Sequence, residues 1–281
     1  MLTPIEFETL LTSLMPLVPS VSGAVRAIYE SSFSVGYKVG DDPITEADRE
    51  ASLQIVAHLR RAFPQDLVIS EEEEATGADR TRSRIWWVDP IDGTRDFVLR
   101  NGEFVTMIGL SVGGRAAFGL VFSPLSENIW VGAPGAGAYR IEKGVRTPLH
   151  VTTTAAFSSF RMVVSRSREE RAKPYIAALA PERARVVGSA GLKAMAVADG
   201  AAELYLQPDR GACLWDSCGP EAIVVAAGGT VSDFDGAMFD YRSQPIVHER
   251  GMVFSNGAAH ARVLETVKRV EAECARKDAT C

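Results

Sequence analysis

The residues best able to do chemistry crowd into one short string, Trp86-Trp87-Val88-Asp89-Pro90-Ile91-Asp92-Gly93-Thr94. An apolar run that favours a strand ends in Asp89, and a second carboxylate, Asp92, follows in the turn. Pro90 fixes one backbone dihedral and removes a donor. Gly93 lets the backbone approach a ligand closely. Thr94 opens a short helical stretch, so the amides of Gly93 and Thr94 face outward at a helix N-terminus, a geometry that suits an anion. Three more acids stand at the ends of expected elements: Glu71 after an apolar β run, Asp216 at the start of a helix behind Trp215, and Asp48 on or just before another helix. Hard oxygen ligands in this number suit Mg2+, Mn2+ or Ca2+ better than zinc. Carboxylates for a metal beside amides for an anion make the layout of metal-assisted phosphoryl transfer. Taken one at a time, each aspartate is equally an ordinary helix cap or turn former.

The elements that must hold these groups can be read from periodicity and caps. Thr3-Pro4 is an N-cap followed by proline at the first helical position, and Leu10, Leu11 and Leu14 give that helix an apolar stripe. A second helix is expected from about Ser20 to Ser31. Thr45 and Asp48 have capping-box spacing, so a third helix runs to about Phe63-Pro64. Leu67 to Ile69 is a short strand leading to the glutamates that begin at Glu71, of which Glu73 and Glu74 read as a solvated face. From Phe104 onward, alternating apolar residues with turn signals about every ten positions predict an antiparallel meander. After Thr152, strands alternate with helices, the pattern of a parallel or mixed sheet covered by helices. Residues 1–152 are thus expected to form helices on an antiparallel sheet, and residues 153–281 an α/β half, together one compact catalytic unit.

Bulk composition sets bounds. The chain has 281 residues, enough for a large core without disulfide staples. A formal net charge of −6 argues against binding a nucleic-acid polymer. Cys213, Cys218, Cys274 and Cys281 show neither C-x-x-C nor zinc-ligand spacing and read as thiols in a reducing compartment. The N-terminal segment lacks a basic leader, and no apolar run approaches about 18 residues, so neither a signal peptide nor a membrane span is expected and the cytoplasm is the default. His58, His150, His248 and His260 form no spaced cluster and receive no catalytic role.

The D-x-x-D-G-T spacing excludes the dehalogenase-type D-x-D-G-T reading with an aspartate nucleophile, because two residues separate Asp89 from Asp92. It resembles instead the Mg2+-dependent, lithium-sensitive phosphatases of the inositol monophosphatase superfamily. The match is carried by "WWVDPIDGT" at 86–94, "WDSCGPEAI" at 215–223, "ITEAD" at 44–48 and "VISEE" at 68–72. Ser70 stands where that family has glycine. The resemblance implies the layered α-β-α-β-α sugar-phosphatase sandwich, with two or three Mg2+ ions held by Glu71, Asp89, Asp92, Asp216 and the Ile91 carbonyl. It makes Thr94, with Asp48, the pair that positions the attacking water, and Glu71 part of the catalytic set. The Gly93 and Thr94 amides would hold phosphate, and a homodimer is the family's habit. "RDFVLRNGEF" at 95–104, "VSRSREE" at 164–170 and "WDSCGPE" resemble the 3′(2′),5′-bisphosphate nucleotidase branch. Its members remove the 3′-phosphate of adenosine 3′,5′-bisphosphate. "GSAGLKAMAVADG" at 188–200 and Asp209 fit inositol monophosphatases equally, so inositol or sugar (fructose-1,6-bis)phosphatase activity stands as the alternative. Ser189, Lys193, Asp209 and Asp216 are the expected substrate contacts, with Lys193 and Arg210 candidates for a second phosphate. The partner expected is a small phosphorylated molecule, neither nucleic-acid polymer nor membrane.

Overall fold

The computed structural model describes residues 2–38, 43–73, 79–208 and 211–278. Helix α1 (Pro4–Leu14) opens with reciprocal capping: the Thr3 hydroxyl accepts from the Glu6 amide while the Glu6 carboxylate accepts from the Thr3 amide. Helix α2 (Leu17–Glu30) follows, then a short antiparallel pair, β1 (Val35–Tyr37) and β2 (Pro43–Thr45), that three-residue runs left invisible in the sequence. Helix α3 (Glu46–Ala62) starts at the predicted Thr45–Asp48 capping box.

Next come β3 (Leu67–Ser70), β4 (Arg84–Asp92), the short helix α4 (Thr94–Val98), and the meander β5 (Val105–Val112), β6 (Arg115–Phe122), β7 (Ile129–Ala133), β8 (Gly137–Glu142) and β9 (Val145–Pro148). These strands form a seven-stranded sheet in sequence order, antiparallel except for the parallel β3–β4 pair. The rest of the chain alternates: β10 (Arg161–Ser165), α5 (Glu169–Leu179), β11 (Arg183–Val187), α6 (Ala190–Ala198), β12 (Leu204–Gln207), α7 (Leu214–Ala226), β13 (Thr230–Ser232), β14 (Met252–Ser255) and α8 (His260–Asp278). Its five strands order as β11-β10-β12-β14-β13, parallel on one side and antiparallel where β14 joins β12 and β13. The mixed sheet agrees with the alternation seen in the sequence.

Side chains stack these elements in five layers. Successive residues of a strand face opposite ways, and β4 shows it: Trp86 packs among residues of α1, α2 and α3, while Trp87 packs among residues of α6 and α7. The same middle helices meet Tyr205 and Phe254 of the second sheet, whose other face packs Met162, Leu206 and Val253 against Ala172 of α5 and Val263 of α8. The order helix, sheet, helix, sheet, helix is the layered sandwich that the motifs implied.

Residues Pro4–Glu30 form two of these core-packed helices. They contain an 18-residue window apolar enough, by length and composition, to cross a membrane. In the fold, their Phe7, Leu10, Leu14, Val21 and Val25 are buried against the seven-stranded sheet.

Helix α7 lies unusually close to that sheet. A Cβ on Gly119 of β6 would overlap the carbonyl of Gly219, and one on Gly109 of β5 would crowd the backbone of Cys218 and Gly219. Bare glycines let the helix backbone rest on the strands, and that contact fixes the height of the residue at its N-terminal turn, Asp216.

Candidate metal and phosphate site

The predicted acids meet along one cavity of about 620 Å3. Asp89 and Asp92 both lie within β4, which continues to Asp92 where the sequence suggested an end at Asp89. The pairing of β4 with β5 shifts register between them. Pro90 has no N–H to give the ladder; its carbonyl accepts from the buried Thr106 hydroxyl at 2.7 Å instead. Gly93 then turns the chain with φ +99°, a left-handed conformation that side chains rarely adopt.

Asp216 sits in the first turn of α7, where its Oδ2 accepts from the Cys213 amide at 2.5 Å. It is therefore a cap and a site residue at once. One carboxylate oxygen from each of Asp89, Asp92 and Asp216 lies within 4.8 Å of the other two. Glu71 lines the same cavity just beyond β3, its amide donating to the Val88 carbonyl at 3.0 Å. Its carboxylate accepts from Lys38 Nζ at 2.8 Å, and Glu72 accepts from the same ammonium at 2.5 Å. Burial alone would lower the Lys38 pKa, but these two carboxylates outweigh it and hold the amine charged.

The acids are costly to each other as they stand. Burial drives the Asp89 carboxyl well above the usual range, and Glu71, Asp92 and Asp216 add like-charge repulsion. Asp216 is pushed up to about 7, first by burial and then by Asp92 and Glu71. Asp89 Oδ1 is buried and has no hydrogen-bond partner. Oxygen donors that repel, one of them orphaned, are what a divalent cation with hard-ligand preference would relieve. The donor set fits a metal, with Glu71, Asp89, Asp92, Asp216 and the cavity-lining Ile91 as its possible holders.

Asp92 is oriented from behind. Its Oδ2 accepts from the Gly191 amide at 2.6 Å and from the Ser189 hydroxyl. That hydroxyl in turn caps α6 by accepting from the Leu192 amide at 3.0 Å. Of the substrate contacts expected, Lys193 lines the cavity and Ser189 does not. Ser189 is buried behind Asp92. Lys193 is buried too, with its ammonium held by the carbonyls of Val187, Gly188 and Ser189, and desolvation pulls its pKa down to about 8. Asp209 and Arg210 lie outside the described residues.

Thr94 and Asp48 come together as the motifs implied, from positions 46 residues apart. Thr94 Oγ1 lies 3.1 Å from Asp48 Oδ1 and 3.1 Å from the Ile91 carbonyl. The other oxygen, Asp48 Oδ2, accepts from the Thr45 amide at 2.7 Å and the Thr45 hydroxyl at 2.6 Å. One carboxylate therefore caps α3 and meets the Thr94 hydroxyl, and burial raises its pKa.

The same cavity is also lined by cations: Arg95, then Arg166 and Arg168 from the turn that follows β10, and Arg171 from the first turn of α5. Sequence reasoning gave Lys38 and this arginine cluster no role. Lys38 follows a three-residue strand with no pattern to expose it, whereas "SRSREE" did show the arginine density that marks an anion subsite.

This geometry meets its counterpart in known proteins. Residues 7–272 match the inositol monophosphatase family. The chain belongs to that family. Among curated relatives of this family member, the 3′(2′),5′-bisphosphate nucleotidase CysQ of Salmonella typhimurium is 34% identical over 237 residues, covering 83% of this chain and 94% of that protein. A fructose-1,6-bisphosphatase/inositol-1-monophosphatase of Thermotoga maritima is 28% identical over 246 residues, 84% and 86% of the two chains. Among solved structures, an IMPase of Thermotoga maritima superposes with a TM-score of 0.80 at 27% identity, covering 94% of this chain and 98% of that one. The five-layer arrangement is that of the family.

Proposed function

We propose that this phosphatase removes the 3′-phosphate of adenosine 3′,5′-bisphosphate with the help of two or three Mg2+ ions. The observation that carries the choice is the mixed lining of the cavity: the acid cluster shares it with several arginines, Arg168 and Arg171 among them. A substrate with two separated anionic groups can engage both. An inositol monophosphate has no second anionic group to offer the arginines. The similarity to bisphosphate nucleotidases from several bacteria supports the same reading.

In the proposed reaction Glu71, Asp89, Asp92, Asp216 and the Ile91 carbonyl hold the metal. Bound Mg2+ acidifies water and offsets the charge of the phosphate and the departing oxygen. The chain's own groups do the positioning. With its proton donated to Asp48, the Thr94 hydroxyl oxygen is free to accept from the attacking water and aim it in line. Ser189 and the Gly191 amide hold one oxygen of Asp92 and so fix its orientation. The Gly93 and Thr94 amides take phosphate oxygens. In this reading water is the nucleophile and no covalent phosphoenzyme forms. Among the described residues Cys213, Cys218 and Cys274 are in no disulfide, which supports a reducing compartment such as the cytoplasm.

Phosphate release, measured with Mg2+ and with chelator, tests this reading on adenosine 3′,5′-bisphosphate, inositol 1-phosphate and fructose 1,6-bisphosphate. The bisphosphorylated nucleotide should give the highest kcat/KM, and Asp92→Asn and Asp216→Asn should abolish turnover on all three. A nucleotide that ranks last refutes the substrate assignment. Near-normal activity in both variants refutes the site.

A further inference from the structure

Arg166 is gripped by two carboxylates. Its Nη1 donates to Asp96 Oδ1 at 2.6 Å and to Glu103 Oε2 at 2.8 Å, and its Nη2 donates to the same Glu103 oxygen at 2.8 Å. That oxygen also accepts from the Gly188 amide at 2.7 Å. Asp96 Oδ1 accepts from the Asn101 side chain at 2.5 Å, and Asn101 Oδ1 accepts from the Glu103 amide at 2.9 Å. The Glu103 carbonyl accepts from the Ser189 amide at 3.3 Å. One cation facing two carboxylates has little charge left for a substrate, so Arg166 is poorly suited to be the phosphate ligand. It is well suited to be a strut. A planar guanidinium gripped on two edges fixes the direction of the backbone that carries it. That backbone is the turn after β10, and Arg168 and Arg171 follow within five residues and line the cavity.

We propose that Glu103 and Asp96 form a two-carboxylate clamp on Arg166 that positions the 165–171 turn, so that Arg168 and Arg171 receive the second phosphate of the substrate. The proposal rests on the bisphosphate reading above. It assigns a task to the "RNGEF" segment at 100–104: the segment follows the acid motif in sequence yet acts on the arginine-bearing turn. Three pieces of chain remote in sequence, around 96–103, at 166 and at 188, are tied at the Glu103 carboxylate. Glu103 is a positioning residue, since it contacts Arg166 and the Gly188 amide and no reacting group.

The test compares adenosine 3′,5′-bisphosphate with adenosine 3′-monophosphate, which has the same scissile group and no second phosphate. In wild type the bisphosphate should have much the lower KM. Glu103→Gln should raise the KM for the bisphosphate by about tenfold or more, as expected when a binding group is displaced by a fraction of an ångström. Its kcat, and both constants for the monophosphate, should stay within about twofold. Glu103→Asp, which keeps the charge one methylene shorter, should recover part of the loss. Arg166→Gln removes the strut from its more exposed end and keeps the test available if Glu103→Gln does not fold. It should reproduce the same KM shift, and combining the two should add nothing further. A fall in kcat on both substrates, an unchanged KM for the bisphosphate, or additive losses in the double variant would each overturn the clamp. Failure of the underlying substrate reading shows itself separately, in wild type, as no preference for the bisphosphate; the clamp then falls with it.

Discussion

Replacing Asp89 by asparagine should make the metal-free protein more stable while destroying its activity. Asp89, Asp92 and Asp216 place carboxylate oxygens within 4.8 Å of one another. Two unit charges at that separation repel by about 3 kcal/mol at an effective dielectric near 20. Proton sharing already relieves part of this near neutrality, because Asp216 is pushed up to about 7, so a net gain of about 1–3 kcal/mol remains for Asp89→Asn. At roughly 2 °C or more per kcal/mol for a chain of this size, the melting temperature in chelator should rise by several degrees. The pH dependence has a definite sign. A carboxyl whose folded pKa is raised favours the folded state below its unfolded value and loses that contribution as pH rises through the folded one. Metal-free wild type should therefore lose stability from about pH 4 to pH 7, and the variant should lose less. Mg2+ should then raise the wild-type melting temperature and leave that of Asp89→Asn nearly unmoved. Thermal melts in chelator and in Mg2+ at three pH values decide the matter. A variant that melts below wild type in chelator at pH 8, yet still gains from Mg2+, refutes the argument that these acids are held against their mutual repulsion for a cation.

Thr94→Ala should lower kcat by about 100-fold or more, the cost of losing a positioned proton acceptor, while Mg2+ still raises the melting temperature as in wild type; loss of the metal response would place Thr94 among the ligands. Gly119→Ala should destabilise by about 3 kcal/mol or prevent folding, because its Cβ would overlap the Gly219 carbonyl of α7; a denaturant midpoint within error of wild type would show that the helix can lift off the sheet freely. Glu221, buried and pushed up to about 7, accepts from the Tyr241 hydroxyl at 2.5 Å. Its raised pKa means that its contribution to stability is lost as pH climbs from about 4.5 to about 7, so the stability of Glu221→Gln relative to wild type should increase over that interval; a flat or falling difference contradicts this.

The parts of this structure that the sequence disclosed are those whose signal is local. The Thr45–Asp48 capping box lies within three residues, and the motif at 86–94 packs two acids, a proline and a glycine into one turn. Both could be read without knowing what they face. What escaped depends on distance along the chain. Ser189 reaches Asp92 across 97 residues, and Arg166 reaches Asp96 across 70. Nothing near Ser189 or Lys193 tells whether they point at a substrate or behind the site. The β1–β2 pair was missed because three-residue strands show no periodicity. The N-terminal helices were legible because their apolar stripe, Leu10, Leu11 and Leu14, recurs at helical spacing, and all three residues are buried.

The glycine seat under α7 has one more consequence. Asp216 reaches Asp89 and Asp92 only when the helix that carries it has settled on strands β5 and β6, which come from the other part of the chain. The cluster is thus a product of assembly, absent from any fragment that keeps only the meander or only the later α/β elements. Divalent-cation affinity becomes a readout of docking. Two pieces severed in the 149–156 connection would each be blind to the ion, and would regain it only upon complementation.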